Sequence, residues 1–303
     1  MEYVILDLEW DSVFYPPKKR FINQILQIGA VKLNSDFDVV DTFSVNVCSQ
    51  ISNKVTSRFA KLTGITSEIM REGKPFTEAV KLYNSFAQNA AVTMTWSNSD
   101  LYTIIENEDF LLKGELKFKM AGYLDLQKLV QQNLYTKGYE SKNQISLEDA
   151  AEFLGVDTSE FELHTALDDC LVCAALLKIA YDKNRFDALV KDTSSEDFYK
   201  RLRFKPYAIS DINDSNIKKS QLEFMCPQCK SKTERISNWK YKNRWFISNF
   251  KCEKCGFKFN GRVTFKKTFD DLKVKHKVCE YKPKTRIQND MQHVSEKVPS
   301  TKD

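Results

Sequence analysis

An apolar segment near the start of the chain carries two acidic side chains. Residues 3–6, Tyr-Val-Ile-Leu, form a β-rich run that continues through Asp7-Leu8-Glu9. Because side chains alternate along a strand, Asp7 and Glu9 point to the same face. Two neighbouring carboxylates destabilise a buried strand unless something positive lies between them. The segment therefore predicts a buried strand that holds a cation, with an exposed edge strand as the alternative.

Two later segments contain acidic residues that could complete such a site. Asp100 follows a short apolar run, and it could join the cluster or simply cap the next helix. His164 and Asp169 are five residues apart, so a loop and the first turn of the helix behind it could bring both to one cleft. An acid in a first turn is also favoured by the helix dipole, without any function. The predicted ligands of two Mg²⁺ or Mn²⁺ ions, a pair that can break phosphodiester bonds, are Asp7, Glu9, Asp100 and Asp169.

His164 is the candidate general base of this site. The chain has three histidines, and the other two lie in its basic C-terminal part. His164 is therefore the only residue of the front part whose unperturbed side chain titrates near neutral pH. A lone histidine is often structural, so its role depends on the acidic residues around it.

The order of apolar segments predicts an α/β fold with helices packed on a mixed sheet. The strand candidates are 3–9, 24–33, 37–47, 91–95 and 119–124. The helix candidates are 56–62, 76–87, 101–110 and 165–181. A further helix should begin after Ser146, which opens a capping box, and end at Gly155.

Charge is distributed unevenly along the chain, whose net charge is +5. Residues 201–303 contain 25 Lys and Arg against 11 Asp and Glu, whereas residues 1–200 contain 21 against 30. An acidic front part and a basic back part suggest separate tasks. A basic domain attracts polyanions, and nucleic acid is the leading candidate, with solubility as the alternative.

The basic part contains two Cys-x-x-Cys pairs separated by 22 residues. Four thiolates suit tetrahedral Zn²⁺ and close its coordination shell, so the expected site is a structural zinc ribbon rather than a catalytic centre. The predicted zinc ligands are Cys226, Cys229, Cys252 and Cys255. Cys170 and Cys173 repeat the spacing inside an apolar helix and are expected to be core residues.

Aromatic residues alternate with basic ones between and after the cysteine pairs. Trp239, Tyr241 and Trp245 are candidate stacking platforms for nucleic-acid bases. Several aromatics of so small a domain must form its core, and a protein-binding ribbon is the alternative. Asn260-Gly261 is interpreted as a tight turn.

The resulting domain boundaries are residues 1–185 for the acidic domain, 186–221 for a partly helical connector, 222–282 for the zinc ribbon and 283–303 for a disordered tail. No stretch of about 18 apolar residues occurs, so we expect no membrane span. A secretory signal is not evident, and the cysteines do not form a secreted disulfide framework. A cytoplasmic, reducing location is therefore expected.

Residues 1–182 resemble the DEDD 3′→5′ exonucleases of the histidine-containing branch (DEDDh), and most closely the Eri1-like exoribonucleases. The residues that carry this resemblance are Asp7-Leu8-Glu9, the run 24–31 (Gln-Ile-Leu-Gln-Ile-Gly-Ala-Val), Leu62-Thr63-Gly64-Ile65-Thr66, the segment 96–100 and the segment 164–169. The tyrosine branch would place a Tyr at position 165, which is Thr here.

The resemblance implies a ribonuclease H-like mixed sheet with flanking helices and removal of nucleotides from 3′ ends. Single-stranded RNA or 3′ overhangs are the favoured substrates, and RNA is favoured only through the resemblance. A DNA exonuclease for proofreading or repair and a non-catalytic nucleic-acid-binding protein are the alternatives. Leu8, Trp10 and Trp96 are candidate substrate contacts. Trp10 could instead fill the core, because strand alternation turns it away from Asp7 and Glu9.

Overall fold

The computed structural model describes residues 1–112 and 117–281. The chain divides into an N-terminal unit, Met1–Arg203, and a C-terminal unit, Phe204–Asp303. This division falls within the segment interpreted as a connector, whose two parts belong to different units. The tail predicted for 283–303 lies outside the described residues.

The N-terminal unit contains a seven-stranded mixed sheet in the order β4-β3-β2-β1-β5-β6-β7. Its strands are β1 (Glu2–Tyr15), β2 (Arg20–Leu33), β3 (Val39–Cys48), β4 (Lys74–Pro75), β5 (Ala90–Thr95), β6 (Gly122–Asp125) and β7 (Lys191–Asp192). β1 is central: it pairs antiparallel with β2 and parallel with β5. The strand with the two acids therefore lies inside the sheet rather than at an edge.

Helices of the N-terminal unit lie between these strands, except the last, which follows β7. They are α1 (Ser57–Thr63), α2 (Ser67–Glu72), α3 (Phe76–Phe86), α4 (Ser99–Asn107), α5 (Leu126–Thr136), α6 (Leu147–Leu154), α7 (Ala166–Ala180), α8 (Lys183–Leu189) and α9 (Glu196–Arg203). α6 begins after Ser146, whose side chain accepts a hydrogen bond from the Asp149 amide, and ends at Gly155 in a left-handed conformation. The predicted helix start at Ser146 and the predicted end at Gly155 are thus confirmed. Among the described residues, no helix is both long and apolar enough to cross a membrane.

Side-chain alternation along β1 divides the core into two layers. Ile5 packs with α5 and α7 on one face of the sheet. Leu6 and Leu8 pack with α3 and α4 on the other face. α7 contacts the sheet and also the helices α5 and α6, which explains why apolar residues are spread around most of its circumference. Cys170 and Cys173 are buried in this helix, as predicted.

The C-terminal unit is built around a second, antiparallel sheet. Its strands are β8 (Tyr207–Ala208), β9 (Thr233–Arg235), β10 (Lys240–Lys242), β11 (Trp245–Cys252), β12 (Lys258–Lys267) and β13 (Leu272–Glu280). The main path is β10-β11-β12-β13, with β8 paired to β12 and β9 to β11. One face buries a phenylalanine-rich cluster that includes Phe246, Phe250 and Phe259.

The prediction of a tight turn at Asn260-Gly261 is wrong, because both residues lie within β12. A Cβ atom on Gly261 would lie 2.6 Å from the Phe250 ring, so the glycine makes room for a core aromatic. The two-residue turn falls instead between β10 and β11, where Asn243 and Arg244 both adopt positive φ.

Candidate active site and metal centre

Three carboxylates from two distant segments meet on one face of the N-terminal sheet. Oxygen atoms of Asp7, Glu9 and Asp169 all lie within 4.8 Å of one another. Asp7 and Glu9 come from β1, and Asp169 comes from the first turn of α7. The chain therefore brings together acids that are 160 residues apart in the sequence.

A glycine in β2 allows α7 to approach this closely. Gly29 is the β-sheet partner of Asp7. A Cβ atom at position 29 would lie 2.3 Å from the carbonyl carbon of Ala166 and 2.6 Å from the Leu167 amide nitrogen. Gln27, two residues earlier, accepts a hydrogen bond from the Ala166 amide at 3.1 Å through its side-chain oxygen. Gly29 and Gln27 thus place the first turn of α7, and with it Asp169, beside β1.

Asp100 lies in the first turn of α4, just after β5, the parallel neighbour of β1. Asn98, not Asp100, occupies the N-cap position, so the capping alternative does not account for this acid. The loop before α4 is held by buried Tyr123, whose single hydroxyl proton has two acceptors within reach, the Ser97 carbonyl at 3.1 Å and the Asn98 side-chain oxygen at 3.0 Å. Asp100 is outside the 4.8 Å triplet, but it is only 6% exposed and its charge raises the pKa of Asp7 and of Glu9.

His164 precedes α7 and has an exposed side chain. Its φ angle is 72°, which is uncommon for a residue other than glycine. Its backbone amide donates to the Asp169 carboxylate at 3.4 Å, and its imidazole is near enough to act electrostatically on that group. The structure therefore places His164 at the rim of the acidic cluster.

The four carboxylates oppose one another's ionisation. Burial raises the pKa of Asp7 well above its usual value, and the charges of the other three acids raise it further. Burial, followed by the charges of Asp169 and Asp100, raises the pKa of Glu9 to about 8. Burial likewise raises the pKa of Asp100 to about 7, against hydrogen bonds from its own backbone and that of Leu8. Burial also raises the pKa of Asp169, which the backbone amide and imidazole of His164 partly offset.

Such a set of donors fits a hard divalent cation. Clustered carboxylate oxygens are the ligands that Mg²⁺ and Mn²⁺ prefer, and a cation would relieve the mutual repulsion recorded in the raised pKa values. Asp168 is not part of the triplet: its carboxylate accepts a hydrogen bond from the Glu162 amide and so holds the loop that contains His164.

The mixed α/β fold and the clustered carboxylates are features expected of a nuclease, and comparison with known families agrees with that expectation. The model of the Exonuclease (RNase_T) family matches residues 4–177. The chain belongs to this exonuclease family. It is 27% identical over 187 residues to "Probable 3'-5' exonuclease KapD" of Bacillus subtilis (strain 168), an alignment that covers 60% of this chain and 86% of that protein.

A second curated relative is a much larger protein. The "DNA polymerase III PolC-type" of Thermotoga petrophila is 27% identical over 172 residues, which are 57% of this chain and 11% of the polymerase. The similarity thus concerns one segment of that protein.

Solved structures share the fold of the N-terminal unit. A full-length 3′-exonuclease matches with a TM-score of 0.51 and 20% identity over 64% of this chain and 91% of that one. The nuclease domain of 3'hExo, a DEDDh family member bound to rAMP, matches with a TM-score of 0.50 and 21% identity over 59% and 90%. The predicted ribonuclease H-like mixed sheet with flanking helices is therefore confirmed.

The three aromatic or apolar candidates near the acids differ in placement. Leu8 is 4% exposed and packs in the core on the face opposite Asp7, so the structure does not bring its side chain to the site. Trp10 also packs against that core layer, as strand alternation predicts. Trp96 is half-buried against the layer that contains α7, and its indole N–H has no hydrogen-bond partner among the described residues.

The C-terminal unit brings its four predicted zinc ligands into one cluster. The sulfur atoms of Cys226, Cys229, Cys252 and Cys255 lie within 4.8 Å of one another. Three of their separations are 3.4, 3.6 and 3.6 Å, too long for disulfides. A tetrahedron with metal–sulfur bonds of about 2.3 Å has edges of roughly 3.8 Å, so the cluster is compatible with a zinc ribbon.

Both cysteine pairs use the same local backbone geometry. The amide four residues after the first cysteine donates to that cysteine's carbonyl, from Lys230 to Cys226 and from Gly256 to Cys252. Lys230 and Gly256 both have positive φ, at 59° and 72°. Each pair is therefore a compact knuckle whose shape is set within six residues.

The aromatic candidates of this unit do not share one face. Trp239 packs against the phenylalanine cluster, with its ring centroid 5.8 Å from that of Phe250. Tyr241 is 40% exposed but contacts core Phe246, its sheet partner. Trp245 is half-buried and lies on the opposite face of β11 from Phe246.

The residues that position the acids, unlike the acids themselves, were not among the predicted site residues. Gln27 and Gly29 were visible as a polar residue and a glycine two apart in an apolar strand, but only as part of the family resemblance. Tyr123 had no sequence signal, because its partners at Ser97 and Asn98 are about 25 residues away.

Proposed function

We propose that this protein is a metal-dependent 3′→5′ exonuclease of the DEDDh branch, close to the Eri1-like exoribonucleases, that acts on single-stranded RNA or 3′ overhangs. The observation that carries the proposal is the meeting of Asp7, Glu9 and Asp169 within 4.8 Å in a chain of the exonuclease family. Buried Asp100 is near enough to raise the pKa of Asp7. The name of the Bacillus subtilis relative supports the 3′→5′ direction.

The four acidic residues would hold two Mg²⁺ or Mn²⁺ ions. When bound, such a pair lowers the pKa of water at the site and stabilises negative charge on the reacting oxygens. His164, exposed beside Asp169, accepts the proton of the attacking water as general base. The water oxygen forms a bond to the last phosphorus, and the bond to the 3′-oxygen breaks. The products are a nucleoside 5′-monophosphate and a strand shortened by one nucleotide.

The C-terminal unit, in this proposal, is a basic nucleic-acid-binding domain that contains one structural Zn²⁺. Four sulfur donors leave no position open for catalysis. The cysteine usage of the chain supports a cytoplasmic location. RNA binding by this unit is proposed from its charge and aromatic content, and protein partners are not assigned.

DNA is the substrate of the second candidate function, exonucleolytic proofreading or repair. The similarity to a PolC-type DNA polymerase III favours it. A third possibility is a nucleic-acid-binding protein without catalysis. The clustering of the acids opposes it, since four carboxylates with raised pKa values would be costly to keep without a cation.

The decisive experiment is digestion of 5′-labelled single-stranded RNA and DNA of the same sequence, with and without Mn²⁺. We expect a ladder that shortens from the 3′ end of the RNA, only when the metal is present. Asp7→Ala should lower the rate by about 10³-fold or more, because it removes a central metal ligand. Asp36→Ala, which removes an exposed acid in the turn between β2 and β3, is the matched control and should cleave normally.

Each outcome of this experiment selects one candidate. Shortening of the DNA alone would establish the second function. An undiminished rate for Asp7→Ala would refute the metal site and with it the proposed mechanism.

A further inference from the structure

One face of the C-terminal sheet is strongly basic. Register places directly paired residues on the same face, and one row runs from Lys240 through Ile247 and Arg262 to Lys277 across four strands. The core residues Phe246, Phe259 and Val263 occupy the opposite face. The basic face is defined by Lys240, Arg262, Lys266, Lys273, Lys275 and Lys277.

Cations on this face stand directly opposite one another. Arg262 pairs with Lys277, and Lys266 pairs with Lys273. Like charges at directly paired positions destabilise a sheet. In the described part of this unit, residues 204–281, no carboxylate forms an ion pair with any cation of the basic face. An anion bound from solution would relieve the repulsion, as a cation would in the acidic cluster of the other unit.

A chain of amides orients the one arginine of this face. Asn249 accepts a hydrogen bond from Asn260 at 3.1 Å, and Asn260 accepts one from the Arg262 Nε at 3.0 Å. The Nε contact uses one of the five donors of the guanidinium. Its remaining donors have no acceptor among the described residues of the unit, and a guanidinium in this state suits phosphate.

Apolar side chains also lie on the basic face. Trp245 and Ile247 follow each other at alternate positions of β11 and stay outside the phenylalanine cluster. Lys242, the sheet partner of Trp245, and Lys240, that of Ile247, place a cation beside each. An aromatic ring among cations is the combination that binds single strands, since bases stack while phosphates contact the charges.

We propose that the basic face binds the phosphodiester backbone of a single-stranded nucleic acid, with Trp245 as the stacking platform. The inference rests on the proposed function for the identity of the polyanion. The contact lies on one face of the sheet. Of the three aromatic candidates only Trp245 takes part, because Trp239 and Tyr241 contact core phenylalanines.

Binding is tested with the full chain in an Asp7→Ala background, so that the probe is not degraded. The probe is a fluorescein-labelled, 20-nucleotide single-stranded RNA of mixed sequence, followed by anisotropy from 50 to 300 mM KCl. Lys275→Gln with Lys277→Gln should reduce the slope of log Kd against log salt by about 1.4, since each phosphate contact to a single strand contributes about 0.7. Lys218→Gln with Lys219→Gln makes the same charge change off the basic face and should leave the slope unchanged.

Two further variants distinguish specific contacts of the basic face from a general attraction by positive charge. Trp245→Ala should raise Kd by about 5- to 150-fold, the effect of losing one stacked base, with the salt slope unaltered. Arg262→Lys preserves the charge, so it should keep the slope while raising Kd through loss of the planar fork. Bound zinc and circular dichroism, measured on every variant, identify any that fail to fold, and Lys273→Gln with Lys275→Gln then replaces the failed pair.

Binding that does not depend on salt would overturn the proposal. It would also be overturned if the double variant Lys275→Gln with Lys277→Gln and the control Lys218→Gln with Lys219→Gln reduced the salt slope equally. Displacement of the RNA by poly-glutamate at equal charge would also overturn it and indicate an acidic protein partner. DNA of the same sequence should bind comparably, because the contacts are to phosphate. If the unmutated chain bound the RNA in this way but did not cleave it, the proposed function would be refuted and the binding proposal would stand.

Discussion

Each unit of this chain contains a cluster of side chains that suits a metal ion, four cysteines in one and acidic residues in the other, but the two clusters form in different ways. The cysteine cluster is made of two knuckles, each shaped by hydrogen bonds within six residues. The acidic cluster takes Asp7 and Asp169 from opposite ends of the N-terminal unit and depends on sheet order and on the seating of α7. Local geometry therefore suffices for the first, and only the complete fold creates the second.

This difference predicts how each unit depends on its metal. The C-terminal unit has a small core, and its four clustered cysteines lie on its own strands and turns, so binding of the proposed Zn²⁺ would contribute directly to its folding. The N-terminal unit has two extensive core layers that do not involve the acids. Its metal should matter for catalysis much more than for folding.

Cys226→Ser should have the largest effect on stability. Cys226 is fully buried, and loss of one thiolate should unfold the C-terminal unit, because structural zinc contributes about 10–16 kcal/mol to such folds. Hydrogen exchange should show loss of amide protection in β11 and β12, together with loss of bound zinc. Protection in β1 and β5 should persist.

Cys279→Ser is the matched control for this change. Cys279 lies on β13, outside the four-sulfur cluster, and is half-buried. Its replacement should preserve zinc content and protection. Unchanged protection of β11 in Cys226→Ser would show that the unit folds without its metal, and the contrast between the two clusters would fail.

Gly29→Ala tests the long-range assembly of the acidic cluster. The added methyl group would overlap the backbone of Ala166 and Leu167, so the first turn of α7 must retreat and take Asp169 with it. We expect a loss of about 10²-fold in kcat/KM, the effect of a misplacement of roughly 1 Å, and a loss of about 1–3 kcal/mol in stability.

Gly122→Ala separates the loss of activity from the loss of stability. Gly122 lies in β6, where a Cβ atom would contact the Ala91 carbonyl at 2.9 Å, away from α7. This variant should lose stability but retain activity per folded molecule, measured by active-site titration with labelled RNA. Equal activity losses in the two variants would argue against a specific role for Gly29.

Parts of both clusters could be predicted because the signals for those parts are local. Alternation along β1 was sufficient to place Asp7 and Glu9 together, and the cysteine spacing predicted the four-sulfur cluster. The clash that makes Gly29 necessary exists only once α7 is packed, so no pattern within β2 could reveal it. Asn260-Gly261 shows the reverse error, in which a strong turn signal is overridden because Gly261 makes room for Phe250 in the core.

Metal binding should change the pH dependence of stability of the N-terminal unit, in the smallest of the expected effects. The pKa values of Glu9 and Asp100 are raised to about 8 and about 7 in the folded chain. Ionising these two groups therefore costs more in the folded chain, so without metal their contribution to stability should be greatest below about pH 4 and fall as the pH rises towards 8. Mn²⁺ favours the ionised carboxylates, so its stabilising effect should grow over the same range, to about 1.4 kcal/mol at ten times its Kd.

Thermal unfolding followed by the signal of this unit at pH 5, 6.5 and 8, with and without Mn²⁺, measures the effect. Asp100→Asn removes one of the titrating groups and should flatten the metal-free profile, because one carboxylate fewer is forced to ionise among its neighbours. The alternative is that another group governs this pH range, such as buried Glu108, whose pKa burial raises to about 7. An unchanged profile in Asp100→Asn would show that this alternative holds and that the acidic cluster does not set the pH dependence.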